Sequence, residues 1–195
     1  MFVIGNGESR FGLRIDTLPE KKIGCNAIVR DYFVDHLVCV DRRMVDEAQN
    51  YSDNFLYIYT RKDWLTGRSH IKNLLNVPEL PYKGTTRPDE AFHWGSGPYA
   101  VLLGAQLDKN VKMIGFDLHS KDYKVNNIYK DTENYDPSNK SPVDPRYWIH
   151  QIGKVFECFP NHNFTIYCNQ DWKCPKEWIF SNVSLDNMDL LYYNK

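Results

Sequence analysis

Residues 2–9, FVIGNGES, place a short apolar run directly before a Gly-Asn-Gly turn. A strand that ends in glycines lets backbone N–H groups approach a ligand closely, and a helix that begins after them adds a positive dipole end for anions. Ligands of open α/β sheets bind beyond the carboxyl ends of the strands. The stretch therefore predicts the first strand of an α/β sheet with a phosphate or nucleotide pocket, although a tight strand-to-helix turn without a ligand has the same pattern.

Apolar and β-prone runs recur along the chain, and helix-like segments separate several of them. The predicted strands are KKIGCNAI (21–28), HLVCVD (36–41), FLYIYT (55–60), VKMIGFDL (111–118) and, as the final central strand, NFTIYCN (163–169). The predicted helices are RRMVDEAQN (42–50), SGPYAVLLGAQL (96–107) and YWIHQIGKVFECF (147–159). Strands that alternate with helices favour a parallel sheet. The predicted fold class is therefore α/β, with a single Rossmann-like domain over residues 1–195 and a mainly parallel sheet flanked by helices.

Three segments fall outside this alternation. Residues 61–95 are rich in proline and glycine and predict loops with little regular structure. Residues 119–146 are polar and long for a connection in a compact domain, which is typical of a lid or of a disordered, flexible segment. The tail is expected to pack on the core through Trp172, Trp178, Phe180 and Leu185.

The composition narrows the class of protein. The 195 residues suit one domain with a full-sized core, and 24 basic against 25 acidic residues leave a net charge of −1. This balance does not favour nucleic acid or an anionic membrane as the main partner. No apolar run approaches the roughly 20 residues of a membrane span, and the N-terminus has no signal pattern, so we expect a soluble cytoplasmic protein. The five cysteines contain no CxxC pair, which predicts free thiols and no structural metal.

Polar or small residues directly follow several predicted strands, and a Ser-Gly pair opens the apolar helix at 96–107. These residues are Asn6, Gly7, Asn26, Asp41, Gly115, Phe116 and Asp117, together with Ser96 and Gly97. Because the carboxyl ends of parallel strands share one edge, these groups can converge on a nucleotide, with amides at the base or ribose and N–H groups at the phosphate. Asn, Asp and Gly also terminate strands for purely structural reasons.

The common nucleotide and hydrolase motifs are missing. GNGESR lacks the third glycine of the dinucleotide fingerprint, and Asn26 stands where that fingerprint has an acidic residue. The chain also lacks GK[ST], GxSxG and HExxH, the motifs that usually identify P-loop kinases, α/β-hydrolases and zincins, so the sequence does not favour these classes.

The order of the short motifs resembles the bacterial lipooligosaccharide sialyltransferase family and related Rossmann-like proteins. The chain has GNGES at 5–9 where the family has GNGPS, and GCN at 24–26 where the family has RCN. Ser96-Gly97, Gly115-Phe116-Asp117, the polar segment 119–146 and IYCN at 166–169 follow in the family's order. The resemblance covers most of the chain, but each motif is short. The chain departs from the family at Glu8, in its shorter length and in having no counterpart of the membrane-associated C-terminal region.

This resemblance implies a metal-independent transferase that needs no cofactor and takes a CMP-activated sugar as its substrate. The residues that would contact CMP are Asn6, Ser9, Asn26, Ser96, Gly97 and Gly115, and the lid tyrosines Tyr123 or Tyr129 would bind the phosphate. His150 would be the general base, because an imidazole near neutrality can accept a proton from an acceptor hydroxyl. His119 and His93 are rival candidates, and a glycan is a possible acceptor.

Two other functions remain open. The chain is short enough for a nucleotide-binding accessory or regulatory protein without transfer activity. A Mg²⁺-dependent pyrophosphokinase-like enzyme is the other alternative, and Asp41 and Asp117 would then be the metal ligands. The basic pair Arg42-Arg43 can bind a phosphate through charge-assisted hydrogen bonds, or it can simply be solvated.

Overall fold

The computed structural model describes residues 1–118 and 124–193, and in this part of the chain one sheet contains eight strands. The strands are β1 (Phe2–Ile4), β2 (Lys22–Cys25), β3 (Val34–Val38), β4 (Phe55–Thr60), β5 (Leu74–Asn76), β6 (Asn110–Ile114), β7 (Asn163–Cys168) and β8 (Val183–Asn187). Their order is β5-β4-β3-β2-β1-β6-β7-β8, and every neighbouring pair is parallel. The α/β class with a parallel, Rossmann-like sheet is confirmed.

Helices and short 3₁₀ segments cover the two faces of the sheet. The α-helices of the described residues are α1 (Arg42–Ala48), α2 (Lys62–Leu65), α3 (Ser96–Leu107), α4 (Arg146–Cys158) and α5 (Asp189–Tyr193). α3 packs on β1, β2, β3 and β6, and α4 packs against α3. Val3 belongs to the core on this side, whereas Phe2 and Ile4 belong to the core on the other side. Alternate side chains of a strand thus enter different cores, which explains why the strands are apolar without a polar face.

The order in which strands are added to the sheet changes side at β1. Strands β2 to β5 lie on one side of β1, and β6 to β8 lie on the other side. The carboxyl ends of β1 and β6 therefore form the topological switch point, where a crevice opens in folds of this kind. The loops after both strands touch there, because the N–H of Gly5 donates to the Ile114 carbonyl at 2.8 Å. A Cβ on Gly5 would lie 2.4 Å from the carbonyl oxygen of Gly115, which itself has φ +70°.

Several boundaries differ from the sequence predictions. The loop prediction for 61–95 is wrong at α2 and at β5, and NFTIYCN is followed by one more strand, β8. Both missed strands are short edge strands with mostly partly or fully exposed residues, so they carry no continuous apolar signal. In the tail, Trp178 is buried as expected, whereas Leu185 is 48% exposed.

The described part of the predicted lid, residues 124–145, consists of turns that are bound to the rest of the protein. The N–H of Ile128 donates to the carbonyl of Asn6 at 2.9 Å, and the side chain of Asn126 accepts from the N–H of Glu8 at 2.8 Å. The side-chain amide of Asn134 donates to Glu47 at 2.7 Å. These contacts hold the segment beside the carboxyl end of β1 and against α1.

None of the helices in residues 1–118 and 124–193 has both the length and the apolar content that crossing a membrane requires.

Candidate functional site

A cavity of about 330 Å³ lies at the switch point, and we call it the inner cavity. Nine of the residues that the sequence analysis selected line it: Asn6, Gly7, Asn26, Asp41, Ser96, Gly97, Gly115, Phe116 and Asp117. The other lining residues are Gly5, Cys25, Val40, Gly95, Pro98, Leu118, Asn126, Asn127, Trp148 and Ile152. A volume of this size lies within the range of small-molecule sites. The structure thus brings together residues that are far apart in the sequence.

Asn26 and Ser96 form a fixed polar pair in the wall of the inner cavity. Asn26 has φ +50°, a left-handed conformation that asparagine tolerates better than most residues. Its side-chain Oδ1 accepts a hydrogen bond from the Ser96 hydroxyl at 2.9 Å, and that hydroxyl accepts one from the N–H of Val40 at 3.1 Å. The Nδ2 group of Asn26 has no acceptor among the described residues. It is therefore a positioned donor for a ligand.

The first turn of α3 supplies main-chain donors to the same cavity. The N–H groups of Ser96 and Gly97 have no acceptor in the part of the chain that the structure describes, and Pro98 has no N–H. Free N–H groups at a helix start point away from the helix and carry partial positive charge. Among the described residues, a Cβ on Gly97 would meet only the Phe116 ring, at 3.5 Å, so the glycine leaves space beside these donors.

Asn6 lines the cavity, but its amide is committed to the protein. Its Nδ2 donates to the Cys25 carbonyl at 3.1 Å and to the Tyr135 hydroxyl at 3.3 Å. Its Oδ1 accepts from the guanidinium of Arg10 at 3.0 Å. Arg10 is 2% exposed, and it also donates to the carbonyl of Gly5 at 2.7 Å. Asn6 therefore joins the ends of β1 and β2 and stabilises the cavity floor.

Asp117 is a partly buried carboxylate in the cavity wall. Its Oδ2 accepts from the N–H of Ser9 at 2.8 Å, and its Oδ1 accepts from the Ser9 hydroxyl. Burial raises the pKa of Asp117, and the hydrogen bonds from Ser9 offset only part of this rise. Ser9 does not line the cavity, so its place in the site is to orient Asp117.

Asp41 caps α1 at the other side of the inner cavity. It accepts from the N–H of Arg43 at 2.9 Å and from the Arg43 guanidinium at 3.1 Å. Burial alone would raise the pKa of Asp41, but these hydrogen bonds outweigh it and lower the pKa. The two carboxylates that the sequence analysis considered as magnesium ligands are thus both bound by donors of the protein.

The predicted histidine base lies elsewhere. The Nε2 of His150 is 2.7 Å from Oδ1 of Asp89, and His150 does not line the inner cavity. Asp89 also accepts from the hydroxyls of Tyr82, at 3.1 Å, and Thr86, at 2.6 Å. Burial would raise the pKa of Asp89, but the bonds from Thr86 and His150 outweigh it and place the pKa far below its usual range.

The remaining candidates are also away from the inner cavity or cannot be placed. His119 and Tyr123 lie outside the described residues. His93 accepts from Nε of Arg87 at 3.2 Å, and no histidine among the residues described lines the inner cavity. Tyr129 is buried, and its hydroxyl donates to Asp31 at 2.8 Å.

A second cavity of about 410 Å³, which we call the outer cavity, adjoins the first. Both are lined by Leu118, Asn126, Asn127 and Trp148. The outer cavity is also lined by Arg43, Val125, Asn134, Tyr135, Asp136, Pro142 and Val143. Asn126, Asn127, Trp148 and Ile152 line the inner cavity but were not among the site residues predicted from the sequence. The four-residue spacing of Trp148 and Ile152, which places both on one helix face, was the signal that could have found that pair.

The inner cavity combines an amide donor, helix N–H groups, a carboxylate and apolar walls at the position where α/β proteins bind ligands. Comparisons of the chain with protein-family models, with curated proteins and with solved structures found no match.

Proposed function

We propose that this protein binds a nucleotide in the inner cavity and acts as a nucleotide-sugar-dependent transferase, with a CMP-activated sugar as the donor. The observation that carries the proposal is the convergence of Asn26, Ser96, Gly97 and Asp117 on one cavity at the switch point. The motif order that resembles the lipooligosaccharide sialyltransferases supports the choice of a CMP-sugar.

The chemistry of the cavity wall suits a nucleoside. The free Nδ2 of Asn26 and the N–H groups at the start of α3 are donors for the nucleotide. Phe116 and Trp148 add aromatic surface to the same wall. A cytosine ring presents both acceptors and an amino donor on its edge, and its faces are apolar enough to pack against aromatic side chains.

The transfer step requires a proton acceptor. The acceptor hydroxyl attacks the anomeric carbon, the bond from that carbon to the phosphate oxygen breaks, and the nucleoside monophosphate leaves with the bonding electrons. Two groups compete to take the hydroxyl proton: Asp117, which lines the cavity, and His150, which the resemblance selects but Asp89 holds outside it. The raised pKa of Asp117 favours this carboxylate as the base.

Nucleotide binding without transfer is the second candidate function. The observation that favours it is the position of the histidines, since none in residues 1–118 and 124–193 reaches the inner cavity. A regulatory or accessory protein needs the same pocket and no base. Release of CMP from a CMP-sugar, measured with purified protein, separates the two functions, because a pure binder releases none.

The test of the nucleotide site is a binding panel. Cytidine, CMP, UMP, GMP and a CMP-sugar are added at millimolar concentration, and unfolding temperature and calorimetric affinity are measured. A ligand that binds only the folded state at about 100 times its Kd adds about 2.7 kcal/mol of stability, which is easily detected. Absence of a shift with every compound would refute the proposal.

A matched pair of variants ties any binding to the cavity. Asn26→Ala removes the free amide, whereas Asn73→Ala removes an asparagine with a similar φ of +58° that donates to the Leu56 carbonyl instead. Both variants place alanine at a similar positive φ, and only the first removes a donor from the cavity, so only the first is expected to weaken nucleotide binding. Equal affinities in the two variants would place the nucleotide elsewhere.

A further inference from the structure

Arg43 is linked to both cavities, directly to one and through its ion pair with Asp41 to the other. It lines the outer cavity, and its partner Asp41 lines the inner one. Among the described residues that line either cavity, Arg43 is the single lysine or arginine. An anionic group that extends from the inner cavity toward the outer one therefore meets this guanidinium.

Other cations near the site are already engaged. Arg10 donates to Gly5 and Asn6 beneath the cavity floor. Arg30 is paired with Glu47 at 2.6 Å, and Lys130 is paired with Glu8. Their charges are thus balanced or buried away from the lining.

The Arg43 side chain retains unused donors. It is 66% exposed, and one Nη group donates to Asp41 at 3.1 Å. Its Nε and second Nη group have no acceptor in the described part of the chain. The exposed pair with Asp41 holds the guanidinium only weakly, because solvent screens such pairs. Asp41 also keeps its bond from the N–H of Arg43 when the guanidinium moves, since that bond belongs to the helix cap.

We propose that Arg43 binds the phosphate of a nucleotide held in the inner cavity, an inference that rests on the nucleotide site proposed above. The planar guanidinium can donate two parallel hydrogen bonds to phosphate oxygens, which a solvated lysine does not match. The carboxylate of Asp136 also lines the outer cavity, but Lys140 pairs with it at 2.7 Å and reduces its repulsion of an anion.

The neighbouring residue provides a matched control. Arg42 has the same 66% side-chain exposure and pairs with Asp46 at 3.6 Å, but it lines neither cavity. Calorimetric affinities for cytidine and for CMP are measured in the wild type, Arg43→Ala and Arg42→Ala. Loss of a charge-assisted hydrogen bond is expected to weaken CMP binding by about tenfold in Arg43→Ala, with cytidine binding unchanged. Arg42→Ala is expected to match the wild type with both ligands.

Repulsion by the uncovered Asp41 could imitate this loss, so the comparison is repeated in an Asp41→Asn background. Asparagine keeps the helix cap and removes the charge. Arg43→Ala must still weaken CMP binding there, and an unchanged affinity would overturn the assignment. A phosphate bound only at the start of α3 gives the same negative result. If the wild type binds neither cytidine nor CMP, the nucleotide site itself is refuted and the role of Arg43 with it.

Discussion

Asp117 and Asp89 are two shielded carboxylates whose surroundings shift their pKa values in opposite directions. Asp117 lies in the wall of the inner cavity, and burial raises its pKa. Asp89 is 8% exposed, yet donors from Tyr82, Thr86 and His150 surround it and its pKa is lowered. Both carboxylates accept hydrogen bonds from the protein, but in Asp89 these bonds outweigh burial and favour the charged form, whereas in Asp117 burial outweighs the bonds and disfavours the charged form. Asp117 is therefore the carboxylate for which we propose a role in ligand chemistry, whereas Asp89 is expected to stabilise the fold.

The largest expected effect is that of Asp89→Ala. The substitution removes the charged acceptor that Tyr82, Thr86 and His150 share, and the loss of these three hydrogen bonds is expected to lower the free energy of unfolding by about 2–3 kcal/mol at neutral pH. Urea denaturation measures the change. Asp144→Ala is the control, because Asp144 is 51% exposed and pairs only with its neighbour Arg146, and it is expected to be nearly neutral.

The pH dependence of this loss follows from the direction of the pKa shift. The pKa of Asp89 in the folded protein lies below its ordinary value of 3.8. Its contribution is therefore fully present above that pH, and it is lost as the pH falls toward the folded-state pKa. The difference between wild type and Asp89→Ala should shrink below about pH 4. A constant difference down to acid pH would contradict the structural role of the charge.

Substitution of Gly115 in the wall of the inner cavity is expected to have the next largest effect on stability. Gly115 has φ +70°, and a Cβ there would lie 2.8 Å from the Gly5 carbonyl oxygen, so Gly115→Ala is expected to cost about 1–3 kcal/mol. Gly97→Ala is the control within the same wall, since its Cβ has room. We expect Gly97→Ala to keep its unfolding temperature and to weaken nucleotide binding. Equal stability of the two variants would show that the crossing loops can relax.

The residues that follow the strands of the site could be predicted from the sequence, but the residues that complete the cavity wall from other segments could not. Asn6, Asn26 and Gly115 could be found because parallel strands end at one edge, which is a local signal repeated along the chain. Asn126 comes from a turn segment whose position depends on packing between distant elements, and no local pattern encodes that position, whereas the spacing of Trp148 and Ile152 indicates a shared helix face but not what that face lines. The short edge strands β5 and β8 could not be predicted from the sequence for a related reason, because few of their side chains enter the core.

Helix geometry explains why His150 was a poor candidate for the cavity. Trp148 and Ile152 are four residues apart on α4 and both line the inner cavity. His150 is two residues from each of them, roughly 200° around the helix at about 3.6 residues per turn. The chain position that matched the family resemblance therefore places the imidazole on another face, toward Asp89.

His150→Ala tests this assignment with a smaller effect. Loss of the 2.7 Å contact with Asp89 is expected to lower the free energy of unfolding by about 1 kcal/mol, because the hydroxyls of Tyr82 and Thr86 still satisfy the carboxylate. Nucleotide affinity should stay at the wild-type value. Abolished CMP release from a CMP-sugar, with unchanged stability, would instead make this histidine the base.

Asp117→Asn is expected to have the smallest effect on stability and to report most directly on chemistry. The pKa of Asp117 is raised because burial penalises its charged form, so a neutral amide of the same shape should give an unfolding temperature at neutral pH no lower than that of the wild type. If the carboxylate accepts the proton, wild-type CMP release rises with pH through this raised pKa, whereas the variant lacks the rise. Initial rates of CMP release across pH 4–8 measure the profile. A destabilised variant, or one that retains the rise, would remove the contrast with Asp89, since both carboxylates would then serve only the fold.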